Sequence, residues 1–168
     1  MLREIKIYPD PILSVPAKPV DTVDEGIRSL LADMAETMAA ENGVGLAAPQ
    51  VGVSLRVAVA DITGCTDDTG LGLIKFVNPE ITARGEEIEW EEGCLSVPGF
   101  LQKMKRRSPI TMSFLDEEGV RKEIRAEGLL AVVFQHEIDH LDGKLIIDSA
   151  SQIKRELYLK KRAKEMNE

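Results

Sequence analysis

The longest uninterrupted apolar stretch of the sequence carries both of its histidines. Residues 128–143, GLLAVVFQHEIDHLDG, run for 16 residues with glycine only at the two ends and no proline. Such a run is too long for a single strand and has the length of a buried helix, with Gly143 as its natural stop. The sequence therefore predicts a buried helix that presents His136 and His140.

His136 and His140 are four residues apart, which places both rings on one face of that helix. Two such imidazoles can bind one metal ion, and Glu137 between them can act as a base toward a water on that ion. The alternative is a pair of surface histidines. The neighbouring residues 131–134 and Leu141 are apolar, however, and two buried imidazoles without partners would be costly. The pattern thus favours a divalent metal site.

A catalytic metal of this kind takes three protein ligands, and the helix supplies two. Cys94 is a candidate for the third, because it lies in a turn bounded by Gly93 and Pro98, whereas Cys65 lies in a loose polar loop. Carboxylates are also numerous. Because most free cysteines are small buried apolar residues, the spacing alone leaves the third ligand open.

Composition indicates an ordinary globular domain covering residues 1–168. Hydrophobic residues make up 43% and charged residues 30% of the chain. No window approaches the roughly 20 apolar residues of a membrane span, and the N-terminus lacks the pattern of a signal peptide. We therefore expect no membrane contact and free thiols in a reducing compartment. The net charge of -8 argues against DNA binding.

Periodicity predicts an α+β fold with several short strands between helices. A helix is expected from Thr22 to Gly43, with Asp21 or Thr22 as N-cap, and a basic C-terminal helix is expected in residues 150–168. Turns are expected at Asn78 and at Arg84, and a hairpin turn at 116–119. The predicted strands are 55–62, 73–81, 85–93, 109–115 and 120–124, with residues 43–52 (GVGLAAPQVG) as a loop.

Three segments together resemble a known family. The stretches GVGLAAPQ (43–50), EGCLS (92–96) and QHEIDHLDG (135–143) are similar to the three signature motifs of bacterial type 1 peptide deformylases, in the family's order. The resemblance covers nearly the whole chain. It implies short antiparallel β-sheets packed around a central metal-binding helix, with an N-terminal and a C-terminal helix.

The resemblance implies that Cys94, His136 and His140 bind one divalent ion. It also implies ferrous iron, replaceable by Zn²⁺, Ni²⁺ or Co²⁺, whereas the ligand types alone would have suggested zinc. The implied activity is hydrolysis of the formyl group on N-formylmethionyl nascent peptides, with release of formate, in a cytoplasm of bacterial type or in an organelle. Metal-bound hydroxide would attack the formyl carbonyl, with Glu137 as base and then acid.

The resemblance also assigns the remaining site residues. The Gln50 side chain and the Leu95 backbone N–H would stabilise the oxyanion. The Gly43 and Gly45 backbones would hold the peptide. The methionine pocket would be formed by Val44, Trp90, Glu92, Leu129, Val132 and Val133, although such residues are more often plain core. Leu101 stands where many relatives have a peptide-holding arginine, and Arg106 could pair with Asp139.

Alternatives remain for the C-terminal helix and for the activity. Residues 150–168 hold six Lys and Arg against three Asp and Glu, which is consistent with a solvated helix or with a ribosome contact. A zinc peptidase with the same histidine motif would cut internal peptide bonds and give Gln50 and Cys94 no special role. A catalytically idle binder of nascent chains is a further alternative, which the intact Glu137, Gln50 and Cys94 disfavour.

Overall fold

A computed structural model describes residues 1–66 and 68–167. Its antiparallel sheet has five strands in the order β1-β2-β3-β4-β5, so each strand pairs with its neighbours in sequence. The helices are α1 (Glu25–Ala40), α2 (Gly128–Leu141) and α3 (Gln152–Met166). The strands are β1 (Gly45–Ala47), β2 (Val57–Ala60), β3 (Ile74–Cys94), β4 (Val97–Leu115) and β5 (Arg121–Ala126). The predicted α+β class is confirmed.

Helix α1 covers one face of the short strands β1 and β2. Its N-cap is Asp24, whose carboxylate accepts a hydrogen bond from the Ile27 backbone N–H at 3.0 Å. The predicted caps, Asp21 and Thr22, were therefore wrong, because the carboxylate that satisfies the free N–H groups lies later in the chain. The buried face of α1 carries Ile27, Leu30, Leu31, Met34 and Met38, as the periodicity predicted.

Strand β3 runs through both turns predicted at Asn78 and Arg84, so these two predictions were wrong. Asn78 does have a positive φ of 48°, but it forms a bulge within one continuous strand of 21 residues. Its side-chain amide exchanges two 2.8 Å hydrogen bonds with the Val20 backbone, which holds the bulge in place. Arg84 pairs directly with Ile110 on β4. Gly85 allows close contact across the strands, since a Cβ there would lie 2.5 Å from Pro109.

The hairpin predicted between β4 and β5 is confirmed. The Asp116 backbone N–H donates to the Val120 carbonyl at 2.9 Å, and Gly119 has a φ of 75°. The predicted loop at 43–52, in contrast, contains strand β1 and a 3-10 turn at Ala48–Val51. Three residues of β1 are too few to show a period, so the sequence pattern could not reveal them.

Helix α2 is the buried helix that the apolar stretch predicted. It packs against β1, β2 and β4. Its side chain Phe134 is fully buried and meets Phe76 edge to face at 5.3 Å. Gly143 follows the helix with a φ of 76°, where a Cβ would lie 2.8 Å from the Ser14 carbonyl oxygen. The predicted stop at Gly143 is therefore confirmed.

Helix α3 is mostly exposed. Ser151 caps it through a 3.1 Å bond from the Lys154 backbone N–H, and Tyr158 is its buried side chain. The Tyr158 hydroxyl donates to the Pro98 carbonyl at 2.9 Å, which ties α3 to the start of β4. None of the helices in the part of the chain described has both the length and the apolar character needed to cross a membrane.

Phe134→Ala should lower the free energy of unfolding by about 3 to 5 kcal/mol, because it opens a cavity between α2 and the sheet. The measurement is urea denaturation at fixed metal content. Leu157→Ala on the exposed side of α3 is the control and should change the value by less than about 0.5 kcal/mol. Equal midpoints for the two variants would show that α2 does not form the packed centre of the molecule.

Candidate active site

Three potential metal ligands meet where the end of β3 faces α2. The Cys94 sulfur lies 3.4 Å from His140 Nε2, which lies 3.1 Å from His136 Nε2. All three donor atoms lie within 4.8 Å of one another. The spacing of the two histidines on α2 brings their rings to one side, and the antiparallel sheet brings in the cysteine from 42 residues earlier.

The donor atoms fit a tetrahedral ion. Bonds of about 2.3 Å to sulfur and about 2.1 Å to nitrogen hold neighbouring ligand atoms roughly 3.3 to 3.6 Å apart. The separations from His140 Nε2 to Cys94 and to His136, 3.4 and 3.1 Å, are close to that range, and the third pair lies within 4.8 Å. One thiolate and two imidazoles, with a fourth position left for water or substrate, form the ligand set of a catalytic rather than a structural site. The spacing of the three donor atoms and their chemical types are therefore compatible with a divalent metal ion.

The orientation of His136 is set by a carboxylate behind it. Its Nδ1 lies 2.9 Å from Glu92 Oε1, which leaves Nε2 facing the other ligands. Glu92 is in turn held by Arg106 through two parallel bonds of 2.8 Å. Arg106 also bonds Asp139, one turn along α2 from His136. Both Glu92 and Arg106 are only 6% exposed, so these bonds are shielded from water.

This network has clear electrostatic consequences. Burial alone would raise the pKa of Glu92, but the Arg106 guanidinium and His136 outweigh it and hold that pKa below its usual value. Glu92 therefore stays ionised and can accept a hydrogen bond from His136. Glu92 also lines the cavity, where the sequence predicted it as a methionine contact. Its carboxylate oxygens are nevertheless engaged by Arg106 and His136, not directed to a ligand.

Glu137 lies on α2 beside the same cluster, 3% exposed. Burial raises its pKa to about 7. Its Oε1 atom has no hydrogen-bond partner among the residues described. Its Oε2 atom lies against the backbone of Gly45, where a Cβ would be only 2.3 Å away. A buried carboxyl group with a pKa near neutrality and a free oxygen is suited to transferring protons.

Gln50 has a single orientation imposed by its neighbours. Its Oε1 accepts from the Ala47 backbone N–H at 2.9 Å, so the amide nitrogen must face the other way. That nitrogen donates to Ser96 Oγ at 3.1 Å and lies 3.7 Å from the Cys94 sulfur. A side-chain donor is therefore fixed next to Cys94, one of the three potential metal ligands.

These groups open into a cavity of about 850 Å³, large enough for a peptide terminus. The cavity is lined by every residue predicted for substrate contact, namely Gly43, Val44, Gly45, Trp90, Glu92, Leu129, Val132 and Val133. Gln50, Cys94, Leu95, His136 and Glu137 also line it. Leu101 is exposed and is absent from the described lining.

Other lining residues were missed at the sequence level. Arg3, Ile5 and Ile7 come from the N-terminal segment, which the prolines predicted only as an extended surface stretch. Glu41 and Asn42 follow α1. No motif marks these positions, because the tertiary fold brings them to the cavity and no local sequence pattern indicates it.

Comparison with known proteins decides the family. Residues 2–156 match the family described as polypeptide deformylase. The chain belongs to the peptide deformylase family. The chain is 48% identical over 160 residues to the peptide deformylase of Thermodesulfovibrio yellowstonii, covering 95% of this chain and 96% of that protein. It is 44% identical over 170 residues to the peptide deformylase of Bartonella tribocorum, covering 99% and 96%.

A solved structure extends the likeness to three dimensions. A crystal structure of a peptide deformylase from Legionella pneumophila superposes with a TM-score of 0.90 at 47% identity, covering 99% of this chain and 96% of that one. The predicted resemblance is thus confirmed, and so is the prediction of an enzyme. The chain is a peptide deformylase-type hydrolase that acts on formylated nascent peptides, and Cys94, His136 and His140 form a possible site for the family's divalent metal.

Glu92→Gln should weaken metal binding by about 10- to 100-fold, because the neutral amide no longer holds Arg106 and no longer fixes the ring of His136. The dissociation constant of Co²⁺ or Zn²⁺ can be measured by competition with a chromogenic chelator. Glu89→Gln, on the exposed side of β3, is the matched control. An unchanged dissociation constant in a folded Glu92→Gln variant would contradict the positioning role.

Proposed function

We propose that this deformylase removes the formyl group from the N-terminal formylmethionine of newly synthesised polypeptides and releases formate, with Glu137 as general base and acid. One observation carries the proposal. Glu137 is buried and lines a peptide-sized cavity beside three potential metal ligands, and one of its carboxylate oxygens has no hydrogen-bond partner within the described residues.

The ion that we propose is Fe²⁺, with Zn²⁺, Ni²⁺ or Co²⁺ able to replace it, held by Cys94, His136 and His140. Its chemistry would be to lower the pKa of a water molecule and to polarise the formyl carbonyl. Iron rests on the family resemblance, since the thiolate and imidazole ligands by themselves suit zinc equally well. The ligand geometry supports a single ion.

Glu137 would move one proton through both halves of the reaction. As water attacks the formyl carbon, the carboxylate accepts the proton that the water loses. When the carbon–nitrogen bond breaks, the carboxyl group returns that proton to the departing amine. The burial of Glu137 supports this role, because a carboxyl group with a pKa near 7 can both accept and donate a proton at neutral pH.

Gln50 and the Leu95 backbone N–H would stabilise the oxyanion formed by the attack. The bond from Ala47 to Gln50 Oε1 supports this assignment, because it keeps the amide nitrogen turned toward Cys94 without a conformational change. A donor that is already oriented requires no reorganisation in the transition state. Leu95 follows the cysteine directly, so its N–H belongs to the same turn.

The methionine side chain would lie against α2. Leu129, Val132 and Val133 precede His136 by seven, four and three residues, which places them on the face of α2 that carries the ligand. Val44 and Trp90 would complete this apolar wall, with Glu92 behind it, and the Gly43 and Gly45 backbones would hold the peptide. The cavity that contains all of them supports one continuous binding site.

We infer a bacterial-type cytoplasm as the place of action, supported by the bacterial origin of the relatives. The ribosome contact of α3 stays a prediction, as does the assignment of residues 1–168 to one domain. Several basic side chains of α3 are exposed, including Lys154 and Lys160. Lys154 is engaged with the Leu101 carbonyl and Gln102, so part of this charge already serves the fold.

Glu137→Gln should lower formate release from formyl-Met-Ala-Ser by about 100- to 10,000-fold, because the amide cannot accept the proton. The enzyme is prepared anaerobically with Fe²⁺, and metal content is measured in parallel. Glu127→Gln, an exposed glutamate just before α2, is the matched control. Retained turnover in metal-loaded Glu137→Gln would refute the mechanism. Cleavage of unformylated peptides by the wild type without formate release would favour a peptidase.

Gln50→Ala should lower kcat by about 100- to 1,000-fold, because one oxyanion donor is lost. The substrate KM should change far less, since the donor acts mainly on charge that develops during the reaction. Steady-state kinetics on the same peptide give both values, with Gln102→Ala as the control. A change confined to KM would assign Gln50 to substrate binding instead.

A further inference from the structure

The N-terminal segment, residues 3–8, contacts both parts of the site that carry the proposed oxyanion donors. The Lys6 backbone N–H donates to the Gln50 carbonyl at 2.7 Å, and the Tyr8 backbone N–H donates to the Ser96 carbonyl at 2.8 Å. Gln50 carries one of these donors, and Ser96 directly follows the residue that carries the other. The segment therefore joins two motifs that lie 46 residues apart in the sequence.

These two bonds limit the distance between the motifs. Lys6 and Tyr8 are two residues apart, and two residues of chain span at most about 7 Å. The Ile7 N–H between them has no hydrogen bond to any residue that the structure describes. This alternation is typical of an extended segment that pairs along one edge, where every second N–H faces its partner. The carbonyls of Gln50 and Ser96 are therefore held at one separation by a single short stretch of backbone.

Two side chains anchor the N-terminal segment in different parts of the core. Ile5 packs against a hydrophobic cluster that includes residues of α1, β1 and the 3-10 turn, and Leu95 packs against the same cluster. Tyr8 packs against a second cluster, as does Cys94. Because its side chains are held in both clusters, the segment has little freedom to follow local movements of either motif. It can therefore act as a fixed reference for both of them.

The direction of the Gln50 amide depends on this reference. Its Oε1 accepts from the Ala47 backbone N–H, and its Nε2 donates one hydrogen to Ser96 Oγ at 3.1 Å. The second hydrogen of Nε2 is left on the side of the Cys94 sulfur, 3.7 Å away. A shift of the Gln50 backbone relative to Ser96 would lengthen the Nε2–Oγ bond and turn that second hydrogen. The bonds from the N-terminal segment to both backbones oppose such a shift.

We infer that the N-terminal segment is a positioning element for the reaction, which holds the two oxyanion donors in register. The backbone N–H of Lys6 positions Gln50. The backbone N–H of Tyr8 positions the turn that contains Leu95. The inference rests on the proposed function, since it requires that these two donors stabilise the oxyanion. A donor placed before the reaction needs no reorganisation, and a displacement of about 1 Å can lower a rate roughly 100-fold.

The test replaces single backbone amides of the segment by esters. The α-hydroxy acid analogue of Lys6 or of Tyr8 exchanges the N–H for an oxygen and keeps the side chain. The same exchange at Ile7 is the matched control, because its N–H has no bond to the described residues. Each full-length protein is loaded anaerobically with Fe²⁺, and formate release from formyl-Met-Ala-Ser gives KM and kcat per bound metal.

The esters at Lys6 and at Tyr8 should each lower kcat by about 10- to 100-fold and change KM by less than about threefold. The ester at Ile7 should keep kcat within about twofold of the unmodified enzyme. Urea denaturation of all three proteins shows whether they are folded. Unmodified kcat in the folded, metal-loaded Lys6 and Tyr8 esters would overturn the inference.

A Gln50→Ala background separates positioning from a general loss of stability. Because the Lys6 ester acts through Gln50, it should change kcat by less than about twofold once that side chain is absent. An equal loss of kcat in both backgrounds would assign the Lys6 bond to stability alone and overturn the inference. An unchanged kcat in Gln50→Ala itself would instead refute the proposed oxyanion donor. No formate from the unmodified enzyme would refute the proposed function.

Discussion

A buried network centred on Arg106 and Glu92 joins the sheet to the helix that carries both histidines, through Asp139 and His136. Arg106 on β4 holds Glu92 on β3, and it also reaches Asp139 on α2. Burying one of these charges alone would cost several kcal/mol, so each is tolerated only because the others are present. The position of His136 relative to Cys94 depends on this network. A pair of apolar residues of similar volume could hold the strands together but could not orient an imidazole.

The two buried glutamates of the site have opposite electrostatic environments. Glu92 is bonded by a guanidinium, so its pKa lies below the usual value. Glu137 has no cation bonded to it among the described residues, and burial raises its pKa to about 7. Environments that push the pKa values of two carboxyl groups apart give them different tasks. One glutamate keeps a fixed charge behind the ligand, and the other can gain and lose a proton in front of it.

Local sequence patterns predicted the helices whose apolar residues recur at a regular spacing. They did not predict features that depend on contacts between residues far apart in the sequence. The largely apolar stretch of 16 residues ending at Gly143 was sufficient to predict α2, and apolar residues at helical spacing were sufficient to predict the buried face of α1. The turn expected at Asn78 was wrong because its side chain bonds Val20, which is 58 residues away. Likewise, the motif suggested Glu92 as a wall of the methionine pocket, whereas its bonds to Arg106 and His136 exist only in the folded chain.

Gly45 shows why several short motifs that lie far apart in the sequence can together identify one active site. A side chain at this position would collide with the Glu137 carboxylate, which comes from α2, 92 residues later. The glycine on β1 and the glutamate on α2 are therefore one constraint divided between two motifs. A single histidine motif leaves the third ligand and the donors undetermined. Three motifs in the same order identify the reaction more specifically, because residues of one motif fix the position of side chains that another motif contributes.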